Sequence, residues 1–211
     1  MRRVAVDPDA PQRDAIEEAA KWILAGGVVA IPTDTLYGLA VDPFRADAVK
    51  RLLDVKGRPE DRGVPLIAAD VAQVETGMIR LSPLATRLAE RFWPGPLTIV
   101  VPAPVALAAG VTAGSGTVAV RVPAHDVARA ICRLAGRPVT ATSANISGHQ
   151  ATADPDEVER TLGDRIDLLI DTGRTRGGAP STIVDATTAE PRLIRAGAIG
   201  WDEIERCLQR G

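Results

Sequence analysis

Apolar positions along this chain alternate between helical and strand spacing. Between Gln12 and Ala25, Ile16, Ala19, Ala20 and Ile23 recur every three or four residues, and Gly26-Gly27 follows as a stop. That spacing predicts a helix over 12–25. The unbroken run Val28–Ile31 predicts a buried strand, and it meets Pro32, which stops strands. Val49, Leu52 and Leu53 share one face of a helix over 47–55, and a short strand is expected over 65–69. A helix over 83–92 is halted by Trp93-Pro94-Gly95-Pro96. Strands over 97–101 and 117–122 follow, then a helix over 127–134 and a strand over 139–142. Asp154-Pro155-Asp156-Glu157 opens a helix reaching Leu162, because acids in a first turn complement the helix dipole. A strand over 166–170, paired strands over 181–184 and 192–195, and a closing helix over 201–208 complete the pattern. Strands and helices alternate without a repeat or long linker, which predicts one α/β domain. Some consecutive strands stand too close for a crossover helix, so its sheet is expected to mix parallel and antiparallel pairs. The glycine-rich stretch Thr172–Ala179 is expected to be the most mobile segment.

Composition narrows this picture. A chain of 211 residues suits one large domain or two small ones, and 45% hydrophobic residues can fill a sizeable core. Only six residues are aromatic (three Trp, two Phe, one Tyr), so the core must rest on Val, Leu, Ile and Ala. A net charge of −2 excludes wholesale phosphate-backbone binding, while leaving room for a local basic groove. Cys132 and Cys207 form no C-x-x-C pair, which suggests a reducing compartment without a disulfide framework. The first eight residues, Met1 to Pro8, lack the apolar core of a secretory signal. No run approaches the ~18 apolar residues of a transmembrane helix, so a cytoplasmic protein with no membrane partner is expected.

The chemistry is concentrated at predicted strand ends. Thr33 and Thr35 flank Asp34 just after the first buried strand, and Tyr37 is the only tyrosine. Lys56-Gly57-Arg58-Pro59 places two cations two residues apart at a helix end. Such loop hydroxyls and fixed cations suit a small anionic ligand; the plainer alternative is a turn and a solvated helix end. Thr142-Ser143-Ala144-Asn145-Ile146-Ser147-Gly148 offers hydroxyl and amide groups after an apolar strand, or is a polar turn. Arg121, inside Val118–Pro123, must point out, pair, or meet a ligand. Ser181-Thr182 opens one strand and Arg195 ends another, where a surface cation is the simpler reading. Ligands in α/β folds gather at strand ends. No G-x-x-x-x-G-K-[ST], G-x-G-x-x-G or G-x-S-x-G occurs, and His125 and His149 have no partner at metal-ligand spacing.

Seven motifs in order carry a resemblance: Pro32–Leu39, Lys56–Pro59, Trp93–Thr98, Val118–Pro123, Thr142–Gly148, Ser181–Asp185 and Ile194–Ile199. Together they resemble the YrdC/Sua5/TsaC family of threonylcarbamoyl-AMP synthases, over about Gln12 to Leu208. The resemblance implies a twisted mixed sheet with flanking helices, bent around a deep concave cleft. It implies a catalytic domain over 12–208, an N-terminal extension over 1–11, and no C-terminal Sua5-type domain. The implied activity joins L-threonine, bicarbonate and ATP into threonylcarbamoyl-AMP and pyrophosphate, for t6A modification of tRNA, with Mg²⁺ accompanying ATP. By the same resemblance Lys56 and Arg58 are catalytic. Thr35, Arg121 and Ser181 match threonine-binding positions. Arg58, Thr117, Ser143, Asn145 and Arg195 match ATP-binding ones. Implied partners are downstream transferase proteins of the TsaD, TsaB and TsaE type, with weak binding of tRNA or other RNA as a further expectation.

One departure bears on threonine selection: Ala69 stands where many relatives carry a histidine, and Arg62-Gly63 alter the loop before it. Two other functions stay open on the same motifs. One is an RNA-binding or ribosome-associated module using a patch of Arg51, Lys56, Arg58 and Arg62. The other is a carbamoyl-adenylate enzyme fed by carbamoyl phosphate.

Overall fold

The computed structural model describes residues 1–57, 61–76 and 79–209. The chain opens on β1 (Arg2–Ala5), so the residues set apart above as an extension contribute a strand. Helix α1 (Arg13–Leu24) buries Ala15, Ile16, Ala19, Ala20 and Ile23, the face its spacing predicts. Strand β2 (Val29–Ile31) is wholly buried. The Thr33–Tyr37 turn then leads into β3 (Gly38–Ala40), which no periodicity announced. Helix α2 (Ala46–Lys56) ends at Gly57, whose φ of 56° is the left-handed conformation that caps helices. Strand β4 (Leu66–Ile67) and helix α3 (Val71–Thr76) are short.

Helix α4 (Pro83–Phe92) starts where the Ser82 side chain accepts from the Ala85 amide, with Pro83 in the first turn. Strand β5 (Leu97–Pro102), the single turn α5 (Ala109–Thr112), strand β6 (Thr117–Arg121) and helix α6 (Asp126–Ala135) follow. The expected strand over 139–142 is two strands, β7 (Val139–Thr140) and β8 (Thr142–Ser143). Helix α7 (Pro155–Leu162) is capped by Asp154, which accepts from the Asp156 amide. Strands β9 (Leu168–Asp171), β10 (Thr182–Asp185) and β11 (Arg192–Arg195) lead to α8 (Trp201–Gln209).

The described residues form two mixed sheets where one was expected. Their orders are β1-β9-β2-β3-β8 and β11-β10-β5-β6-β4-β7. The chain crosses between them at Ala141. The Thr140 backbone pairs with Leu66 of β4, while its hydroxyl donates to the Leu39 carbonyl and accepts from the Val41 amide beside β3. One buried threonine thus ties the second sheet to the first. Strand β2 explains why its sequence is apolar at every position. Val29 and Ile31 face a core shared with α1 and α6, and Ala30 faces the larger core of α2, α4, α7 and α8. Strand β1 was hidden for the opposite reason. It is a largely exposed edge strand, held parallel to β9 by its backbone and by Arg3, which reaches Asp171, Glu159 and Asp156.

Candidate active site

Between the two sheets lies a cavity of about 1220 Å³. The ends of β2, β6, β8, β10 and β11 converge on it. Thr35, Arg121, Ser143, Asn145, Ser181 and Arg195 all line it, although they span 160 positions of sequence. Of the other candidates, Thr117 lies outside the lining. It shares a face of β6 with Ala119 and Arg121, because strand side chains alternate, but its hydroxyl meets Ser115 Oγ at 3.0 Å. Arg58 falls outside the described residues.

Lys56 is placed behind the cavity rather than in it. It is 2% exposed. Its Nζ donates to the Ser143 carbonyl, to the Asn145 carbonyl at 3.0 Å and to Asn145 Oδ1 at 3.1 Å. An ammonium has three hydrogens, and three loop oxygens receive them. The lysine therefore holds the Ser143–Asn145 segment in shape. Asn145 Oδ1 also accepts from Ser143 Oγ at 2.5 Å, and its amide donates to the His149 carbonyl at 2.6 Å.

Arg121 solves the problem posed by an arginine inside a strand. Its partner is Asp34, the acid between the two threonines, with Nη1 3.1 Å from Oδ1 and side-chain exposures of 8% and 6%. The contact is a charge pair without hydrogen-bond geometry, and neither atom has another partner. Burial pushes the Arg121 guanidinium below the usual arginine range; Asp34 opposes that and Arg195 adds to it. The Arg195 guanidinium is likewise lowered by burial. It donates to the Ser181 carbonyl at 2.7 Å and to Ser181 Oγ at 3.1 Å, so it is no loose surface cation. Ser181 Oγ in turn lies 2.8 Å from Thr98 Oγ1.

Two arginines thus point into one cleft, one holding unsatisfied polar capacity. That arrangement accepts small carboxylates and phosphates, for which a planar guanidinium fork is suited. Among the described residues no three His, Cys, Asp or Glu side chains could share a metal ion.

Residues 172–178, expected to be mobile, are fastened. Thr35 O accepts from the Gly177 amide at 2.9 Å and from Thr175 Oγ1 at 2.8 Å. The Thr175 amide donates to the Ala153 carbonyl, and Arg174 pairs with Asp154. Two members of the basic patch are placed. Arg51 is bidentate on Asp167, and Lys56 is buried. Ala69 is 1% exposed beneath the cavity; its backbone is held by Gln73 and Arg129.

Asp34 and Thr98 were absent from the sequence-based site. Asp34 stood between the two singled-out threonines. Thr98 closed the Trp93–Thr98 motif, yet only the fold puts it next to Ser181.

An α/β cleft with converging strand-end hydroxyls and arginines defines a binder of small polar anions. Comparisons give the class a family. The Sua5_yciO_yrdC family, described as telomere recombination, matches residues 21–197. A threonylcarbamoyl-AMP synthase of Pyrococcus abyssi is 40% identical over 201 residues, covering 93% of this chain and 59% of the relative. One from Bacillus subtilis is 40% identical over 194 residues, covering 92% of this chain and 56% of the relative. A crystal structure of P. abyssi Sua5 complexed with L-threonine superposes with a TM-score of 0.93 at 38% identity, covering 99% of this chain and 61% of that one. This chain belongs to the Sua5/YciO/YrdC family. It spans less than three fifths of the length of those two curated relatives.

Proposed function

We propose that this chain is an L-threonylcarbamoyladenylate synthase, a nucleotidyltransferase acting on L-threonine, bicarbonate and ATP. The observation that carries the reading is the convergence of Arg121, Arg195, Ser181 and Thr35 on one cavity. It is supported by the relatives' name and by the threonine bound to P. abyssi Sua5.

The chemistry explains the residue types. Threonine's amine adds to bicarbonate and water leaves, giving an N-carboxylate. One of its oxygens attacks the α-phosphorus of ATP; the bond to the bridging oxygen breaks and pyrophosphate departs. Nucleophile and electrophile are both anions, so fixed positive charge must offset their repulsion. Arg121, held from behind by Asp34, takes the threonine carboxylate, and Thr35 and Ser181 flank it. Arg195, Ser143 and Asn145 serve the nucleotide. Arg58 supplies a further cation, and Lys56 fixes Ser143 and Asn145 against the phosphates. Magnesium arrives with ATP and neutralises phosphate charge. No covalent enzyme intermediate is required.

The product is a labile mixed anhydride suited to transfer onto tRNA for t6A, by proteins of the TsaD, TsaB and TsaE type. Action in the cytoplasm is part of the same proposal; among the described residues no helix is long and apolar enough to cross a membrane. The Arg51–Asp167 ion pair and the burial of Lys56 disfavour an RNA-binding module built on those two cations. Pyrophosphate release in the absence of RNA tests the reading. It should require ATP, threonine and bicarbonate together. Release that proceeds with carbamoyl phosphate in place of threonine and bicarbonate would instead identify a carbamoyl-adenylate enzyme.

A further inference from the structure

Tyr37 is the only tyrosine of the chain and is fully buried. A phenol buried this deeply needs partners for its hydroxyl. It donates to the Gly173 carbonyl at 2.7 Å and accepts from the Thr172 amide at 3.2 Å. Its backbone is engaged as well. The Tyr37 amide donates to the Thr152 carbonyl at 3.0 Å, and its carbonyl accepts from the Ala144 amide at 2.9 Å. One residue therefore joins three chain segments distant in sequence, around 144, 152 and 172. All three border the same cavity.

Two residues earlier, Thr35 O takes up Gly177 and Thr175 from the far end of the glycine-rich segment. Gly173, with φ 76°, makes the turn that brings its carbonyl to the phenol. The segment is thus clamped at both ends by residues 35 and 37. Arg174 to Gly178 form a wall of the cavity facing Arg121 and Ser181.

We propose that Tyr37 is a positioning residue: its hydroxyl anchors residues 172–178 as a wall of the cleft and so sets the fit around the ligand held at Thr35. The synthase reading enters only where the ligand is taken to be threonine. Burial, the largest effect, and the nearby Asp171 carboxylate favour the protonated phenol; hydrogen bonding to Thr172 and the Arg3 charge oppose it, and the net shift is upward. The phenol therefore stays a donor to Gly173 throughout the neutral range.

The test is Tyr37→Phe, which removes one oxygen and keeps the ring in its core. The informative amides are Thr175 and Gly177, because their own acceptors, Ala153 and Thr35, are untouched by the change. Their hydrogen exchange should accelerate about tenfold, the scale of one lost hydrogen-bonded anchor, while β2 and β3 keep wild-type rates. Wild-type exchange at both amides, or acceleration spread evenly over the sheet, would overturn the anchor. Alkaline absorbance titration of the unmodified protein is a second measurement, free of any folding defect and unambiguous with a single tyrosine. The phenol should ionise above the ordinary tyrosine value of about 10; an ordinary midpoint would overturn the anchor. Finally, Tyr37→Phe should raise the KM for threonine about fivefold or more with a smaller change in kcat, the pattern of a loosened binding wall. An unchanged KM would overturn the positioning role. Exchange and titration use no substrate, so an inactive wild-type protein would count against the synthase reading and leave the anchor to be decided by them.

Discussion

Replacing Asp34 by asparagine isolates the electrostatics of the cleft. The change is nearly isosteric and removes the only counter-charge within 4 Å of Arg121 among the described residues. Both side chains are more than nine-tenths buried, so solvent cannot replace the lost carboxylate. Stripping one partner from a buried ion pair costs about 3–5 kcal/mol. Asparagine retains a carbonyl dipole and the pair here lacks hydrogen-bond geometry, so the lower end, about 3 kcal/mol, applies. For a domain of this size each kcal/mol lowers Tm by roughly 2–4 °C, giving a fall of about 6–12 °C. Differential scanning calorimetry without ligand measures it. The same reasoning predicts that threonine stabilises Asp34→Asn more than wild type, because its carboxylate supplies the missing negative charge beside Arg121. A variant that melts within about 1 °C of wild type, or gains no more from threonine, would refute the idea that Arg121 is a buried cation held ready for an anion.

Lys56→Met should accelerate hydrogen exchange at residues 143–147 and depress adenylate formation mainly through kcat. Lys56→Arg should fail to rescue it, because the site is 2% exposed and has no room for a guanidinium; near-normal turnover in either variant would remove Lys56 from the machinery. Valine should support pyrophosphate release one to two decades more weakly than threonine, since an unpartnered buried hydroxyl site costs about 1–3 kcal/mol. Equal rates with threonine, serine and valine would show that the loop ending at Ala69 does not select the amino acid. Cys132 is fully buried and its thiol is pushed up to about 12, with burial the cause, so it stays protonated and shielded. A disulfide reagent near pH 8 should therefore titrate Cys207 alone in the native protein, and equal reactivity of both thiols would show that the α1–α6 core opens.

The elements with strong periodicity were legible in the sequence. Helices α1, α4 and α6 and strands β5, β6 and β9 fall within two residues of the spans their patterns predict. The shortest elements were not. Strand β3 is three residues and α5 a single turn, too short to show a period. The break between β7 and β8 was invisible because Val139–Thr142 is one apolar run; only pairing reveals that Thr140 and Thr142 belong to different sheets. Of the site, the strand-end hydroxyls and arginines could be named from their positions. That Arg121 pairs with Asp34, or that Ser181 sits beside Thr98, depends on segments more than 80 residues apart and has no local signal. Residues 172–178 show the limit of composition. Glycines suggested motion, but the Gly173 carbonyl and the Thr175 and Gly177 amides are taken up by Tyr37, Ala153 and Thr35.

The proposed reaction joins threonine, bicarbonate and ATP in this cleft. Mass spectrometry of a reaction run with isotope-labelled bicarbonate, magnesium and no RNA tests it most directly. The account predicts an adenylate carrying both threonine and the labelled carbon, formed in step with pyrophosphate and lost in Arg121→Ala. Pyrophosphate or AMP appearing without that labelled adenylate, or the adenylate persisting undiminished in Arg121→Ala, would contradict it.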